Sequence, residues 1–206
     1  MQDAVAILRT GRKFDQVLAG ARKVFLADGF EGASVADIAR AAGVSKATLY
    51  SYFPDKKLLF IEVARMECER MSDETIATID ETRPVDESLL VVARQIVTFL
   101  TSRFAQQVFR ICVAESERFP ELGQTFYENG PRRGCAELCC YFEKVVARGA
   151  LAIDDLDMAA EQFSELCKAR LWTRAVFGIQ RDFTAQEIEE VAKAAVETFM
   201  AHYGSA

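Results

Sequence analysis

Gly43 is the residue that most constrains this chain. On either side of it lie two stretches, "SVADIARAAG" and "VSKATLYSYF", each with apolar residues at helical spacing and each too short to persist as an isolated helix. Val35, Ile38, Ala39 and Ala42 recur at i, i+3, i+4 and i+7, behind Ser34, a favoured N-cap. Gly43 then closes that helix at the position where a left-handed backbone suits glycine. Ser45 starts a second helix that runs only to about Phe53. Short helices joined by a tight glycine turn have the build of a helix-turn-helix. Ala39, Ala41 and Ala42 are small enough for a close crossing, and Val44, Leu49 and Phe53 fasten the second helix to the core. Its other side, with Lys46, Ala47, Thr48, Tyr50 and Tyr52, is left free.

The helical period continues through the rest of the chain, with no alternating strand run. Pro54, Pro84, Pro120 and Pro131 sit where it breaks. The spacing predicts an all-α fold of about nine helices, near 12–28, 34–42, 45–53, 55–79, 86–101, 104–118, 122–148, 155–178 and 185–203. A small N-terminal domain, 1–55, is expected to join a larger one, 56–206, near the start of the fourth helix.

Charge sharpens the division. Residues 1–57 carry nine Lys/Arg against six Asp/Glu, whereas the whole chain has a net charge of −6. A locally basic segment on an acidic body holds a polyanion in one orientation and repels it elsewhere. Half of the residues are hydrophobic, and no apolar run approaches the ~18 residues of a membrane span. The first residues, "MQDAVAILRTGRKF", do not read as a signal peptide, so a cytoplasmic protein without a membrane partner is expected.

Six cysteines then have no oxidising compartment in which to pair, and none shows C-x-x-C spacing. With His202 as the single histidine, no metal site and no cofactor are expected, and most thiols read as small buried hydrophobes. Cys135 and Cys139, one turn apart with Cys140 adjacent, leave a thiol- or metal-responsive regulator as an alternative. An all-helical enzyme is disfavoured, because no nucleophile–base constellation or phosphate-cradling glycine loop appears.

The free side of the second short helix suits double-stranded DNA. Lys46 matches guanine O6 and N7, while Ala47 and the Thr48 methyl match a thymine methyl. Tyr50, Tyr52, Lys56 and the Ser34 and Ser45 hydroxyls suit phosphates, which position a protein without reading sequence. The stretch "SVADIARAAGVSKATLYSYFPDKKLLF" resembles the DNA-binding signature of TetR-type transcriptional repressors, and the resemblance extends over about residues 12–60. It implies an all-helical homodimer that binds an operator through its N-terminal helices and a small-molecule inducer through its larger domain. By the same resemblance Lys46, Ala47, Thr48 and Tyr50 lie at the groove, and Tyr52 and Lys56 on phosphates. Ala36 stands where some members place a base-reading arginine, so base readout is expected to be sparse.

The segments "VAESERFPELGQTFYENGPRR" and "CKARLWTRAVFG" are similar to members with an AefR-like regulatory half. Phe99, Phe109, Cys112, Glu115, Phe126, Cys139 and Trp172 are candidates for a pocket that takes an apolar or aromatic effector, although such residues equally serve a core. Glu115 with Arg118 reads either as a ligand-orienting pair or as a helix-surface pair at i, i+3. Stripes of Phe163, Leu166, Arg170 and Phe177, and of Ile188, Val191, Ala195 and Phe199, suggest a four-helix dimer interface across a two-fold axis.

Overall fold

Breaks in helical hydrogen bonding divide the molecule into eleven helices among the described residues, which in this computed structural model are 11–78, 83–117 and 120–205. They are α1 (Arg12–Gly32), α2 (Val35–Ala42), α3 (Lys46–Tyr52), α4 (Lys56–Thr78), α5 (Val85–Thr101) and α6 (Arg103–Glu115), then α7 (Pro120–Asn129), α8 (Pro131–Ala147), α9 (Leu156–Leu166), α10 (Trp172–Val176) and α11 (Ala185–Tyr203). The fold is all-α, as expected. The only sheet-like pairing among the described residues is an isolated bridge between Leu151 and Gly204. No single helix among them is long and apolar enough to cross a membrane.

Two of the nine expected helices are each broken in two. The stretch expected over 122–148 parts at Gly130 and Pro131, because Pro131 has no N–H to continue the ladder and Asn129 turns its amide back onto the Thr125 carbonyl at 2.8 Å. The stretch expected over 155–178 parts after Leu166, where Arg170 adopts φ 62° and Leu171 is turned into the core. The fourth helix was expected to reach Ile79, which lies outside the described residues.

Two apolar clusters hold the molecule together. The first gathers Phe14, Val17, Phe25 and Phe30 of α1 with Ile38, Leu49 and Phe53, then continues into Phe60 of α4 and Phe104, Val108 and Cys112 of α6. Phe60 is its hub, with ring centroids 4.9 Å from Phe25, 5.2 Å from Phe30 and 5.4 Å from Phe104. The second cluster joins α5, α8, α9 and α11 around Phe142, Phe163 and Phe199. The first three helices therefore share their core with α4 and α6.

The close crossing lies between α1 and α2. A Cβ at Gly20 would stand 2.5 Å from the Ala42 nitrogen, so only glycine lets the two backbones meet there. Ala39 and Ala42 are buried as expected, whereas Ala41 faces solvent. An ion-pair cluster reinforces the α1–α4 contact: Arg22 binds the nearly buried Glu67, which Arg70 also reaches at 3.0 Å.

Candidate nucleic-acid interface

Each short helix is set by its caps. Ser34 precedes α2 in extended backbone, and its Oγ accepts the Asp37 N–H at 3.1 Å. Asp37 in turn binds Arg40 at 2.9 Å, and its carboxyl is held below the usual range, chiefly by the Ser34 hydroxyl. Gly43 at φ 65° donates to the end of α2, and the Val44 N–H reaches back to the Ala39 carbonyl at 3.0 Å. Ser45 then caps α3, its Oγ accepting the Thr48 N–H at 3.0 Å. Leu49 and Phe53 are buried, and Phe14 stacks on Phe53 and meets Tyr52 edge-on.

What remains outside on α3 is a contiguous face of Lys46, Ala47, Tyr50 and Ser51, with Tyr50 49% exposed. Thr48 and Tyr52 are half-buried beside it, and the Thr48 hydroxyl lies 2.9 Å from that of Ser45. The expected residues of α3 are thus brought together.

Those outside α3 are used differently. The Ser34 and Ser45 hydroxyls are engaged in capping. The Lys56 ammonium donates to the Phe30 and Ala33 carbonyls at 2.8 and 3.0 Å and lies over the Phe30 ring, so two of its three N–H groups brace the turn before α2. Lys57 binds Glu115 of α6 at 2.6 Å. Gln107 of α6 accepts the Phe30 N–H at 3.1 Å in the same region. Nothing in the sequence pointed to Gln107. Gly20 did carry a signal, an isolated glycine within a helical pattern.

The expected effector-pocket residues scatter. Phe109, Phe126 and Trp172 come together, with Phe109 4.9 Å from Trp172 and 6.4 Å from Phe126. Phe126 also borders a small cavity of about 10 Å³ between α4, α6 and α7, with Ile61, Ala64, Cys68, Val108 and Gly130. That volume admits about one water. Cys112 is buried in the first apolar cluster, Glu115 is taken by Lys57, and Phe99 is half-buried on α5. Cys139 sits elsewhere, its thiol directed at the Leu156 carbonyl. Arg118 lies outside the described residues. Burial pushes Cys112 and Cys167 up to about 12 and Cys68 and Cys139 up to about 11, which keeps these sulfurs as thiols at neutral pH.

The expected interface stripes turn inward. Phe163, Val191, Ala195 and Phe199 are buried in the chain's own second cluster, and Leu166 and Ile188 pack half-buried against it. Arg170 and Phe177 are exposed, Phe177 by 76%. Beside the stripes, α9 and α11 leave an open groove of about 670 Å³ lined by Met158, Gln162, Leu166, Thr198, His202 and Tyr203.

A capped seven-residue helix that presents lysine and tyrosine from a glycine turn defines a DNA-binding protein of the helix-turn-helix class. Residues 17–63 match the profile of the bacterial regulatory proteins of the tetR family, and residues 87–205 match that of the AefR-like transcriptional repressor C-terminal domain. The chain belongs to the TetR family of transcriptional regulators. A crystal structure of a TetR-family regulator from Mesorhizobium loti MAFF303099 is 30% identical and superposes with TM-score 0.80 over 94% of this chain and 97% of that one. The flavonoid-responsive regulator FrrA is 36% identical, with TM-score 0.69 over 95% of this chain and 98% of that one. The repressor AcnR of Corynebacterium efficiens is 38% identical over 58 residues, which span 28% of this chain and 31% of that protein.

Proposed function

We propose that this regulator is a ligand-responsive repressor, acting in the cytoplasm, that binds an inverted-repeat operator as a homodimer and leaves it when a small molecule binds. Residues 1–55 form the DNA-binding domain, and 56–206 bind the effector and dimerise. The observation that carries the reading is the exposed Lys46–Ala47–Tyr50 face on α3, with Thr48 and Tyr52 at its edge. Ser34, Ser45 and Lys56 set the position of that face, and Lys56 retains one N–H for a phosphate.

An apolar or aromatic effector is supported by the Phe109–Phe126–Trp172 cluster beside the small cavity, and by the flavonoid response of FrrA. An effector entering there forces α6 and α4 apart. Both helices hold the DNA-binding unit, α6 through Gln107 to Phe30 and α4 through Lys56 to the Phe30 and Ala33 carbonyls and Phe60 to its aromatic neighbours, while Lys57 to Glu115 ties α4 to α6. The effector must favour the released arrangement, by a coupling of typically about 1–3 kcal/mol.

The test is selection of genomic DNA fragments on the purified protein at about 0.15 M salt, followed by titration of the recovered duplex with native protein and Tyr50→Ala. An enriched inverted repeat, bound at least about tenfold more weakly by the folded variant, is the expected outcome. Equal binding by the two proteins overturns the assignment of α3.

A further inference from the structure

Of the nine cations among residues 1–57, the structure spends four on its own fold: Arg22 on Glu67, Arg40 on Asp37, Lys56 on two carbonyls and Lys57 on Glu115. Arg9 lies outside the described residues. Lys46 belongs to the face of α3. Arg12 and Lys13, in the first turn of α1, are exposed and make no hydrogen bond or ion pair among the described residues.

Their position relative to α3 is fixed. Phe14, the next residue, stacks on Phe53 with centroids 5.5 Å apart and meets Tyr52 at 5.8 Å. The first turn of α1 is thereby bolted to the last turn of α3. Seven residues make α3 only about 10 Å long, close to the width of a major groove of about 12 Å. With the N-terminal part of such a helix at the base edges, groups fastened at its far end fall toward the flanking phosphates.

The placement also runs against helix stability. Two cations at the start of α1, whose regular backbone runs to a break at Gly29 (φ 70°), oppose its macrodipole, Asp15 is the one carboxylate in that turn, and Gly11 supplies no side-chain cap. An anion arriving from outside offsets the two cations and meets the uncapped end.

We propose that Arg12 and Lys13 form a phosphate-binding flank of the recognition helix, so that the DNA footprint extends beyond α3 onto the start of α1. This deepens the DNA reading above and rests on it. The flank recognises backbone charge and carries no base preference.

The test measures binding of a labelled mixed-sequence duplex of about 30 base pairs by native protein, R12Q/K13Q and K23Q, with KCl varied between about 50 and about 200 mM. Glutamine is as good a helix former as lysine or arginine, and unchanged helicity and melting confirm intact folds. Lys23 is equally exposed but lies about 15 Å further along α1 than Lys13, so it controls for overall charge. The slope of log K against log salt is expected to become shallower by about 1.8 per bound protomer in R12Q/K13Q and to stay native in K23Q. A native slope in R12Q/K13Q, or an equal loss in K23Q, overturns the flank and leaves the DNA reading standing. No binding by native protein at about 50 mM KCl sinks both.

Discussion

The helix-turn-helix and the α9–α11 pair are both built from amphipathic helices, yet apolar spacing carries different information in the two. In α3, burying Leu49 and Phe53 uses up the inward side of a seven-residue helix, and what remains is forced outward. In α9 and α11 the apolar stripes of Phe163, Val191, Ala195 and Phe199 are satisfied by the chain's own core. A stripe reports that a helix face is covered. It does not report whether the cover is the same chain or another copy.

The largest expected effects test whether the two apolar clusters form one cooperative body. Phe60→Ala and Phe163→Ala each empty a fully buried aromatic site, and each should cost about 3–5 kcal/mol. Phe60 joins α1, α4 and α6, so Phe60→Ala should also lower DNA affinity at temperatures where the chain remains folded. Calorimetry should show a single transition shifted down in both variants. Two separated transitions, with only one of them moved by each substitution, would mean that the two apolar clusters unfold as separate bodies.

Next in size is the α1–α2 crossing. Gly20→Ala drives a methyl group into the Ala42 backbone and should cost about 1–3 kcal/mol through overpacking. Gly134, on the side of α8, has nothing within 4 Å of its missing Cβ, so Gly134→Ala should be neutral or stabilising. Equal urea midpoints for the two variants would show that the crossing is looser than described.

Ion pairs extend the comparison. Burial raises the Glu67 carboxyl, but hydrogen bonds from Arg22 and Arg70 outweigh it and hold the group below its usual range. A depressed carboxylate adds stability that is fully present above its unfolded value of about 4.3 and is lost as pH falls through the folded value. Glu67→Gln should therefore cost about 1–2 kcal/mol at pH 7, discounted because both arginines are half exposed, and the gap to native should close in acid. Glu189, held down to about 2 chiefly by Arg94, pairs in far more open surroundings. Its replacement by glutamine should move the midpoint less than Glu67→Gln does. A gap for Glu67→Gln that widens toward pH 3 would reverse the sign and refute the pairing.

Local chemistry explains which parts could be read from the residues. Ser34, Gly43 and Ser45 determine the ends of α2 and α3 through contacts three or four residues away, so these boundaries followed from spacing. Lys56 also looked local, a cation just past the exposed face of α3, but its ammonium is claimed by carbonyls 23 and 26 residues earlier. The same long range hid Gln107, which sits 77 residues from Phe30. The helix expected over 155–178 failed for a related reason. Its period is continuous, but Arg170 takes a left-handed backbone beside the buried Leu171, which packs into a core built from distant helices.

The smallest effect separates the two regions most cleanly. Ser45 caps α3, and Thr184 caps α11 through a reciprocal box with Glu187. Alanine at either position should cost about 1 kcal/mol, measured as a shift of the denaturation midpoint. The functional consequences should differ. Losing a cap frays the first turn, and in α3 that turn carries Lys46, Ala47 and Thr48, whereas the start of α11 lies on the other apolar cluster. Ser45→Ala should thus weaken DNA binding several-fold more than its stability loss accounts for, and Thr184→Ala should leave affinity unchanged. If Thr184→Ala lowers affinity as much as Ser45→Ala, the start of α11 and the start of α3 are coupled, and the division between a locally determined reading head and a separately packed body fails.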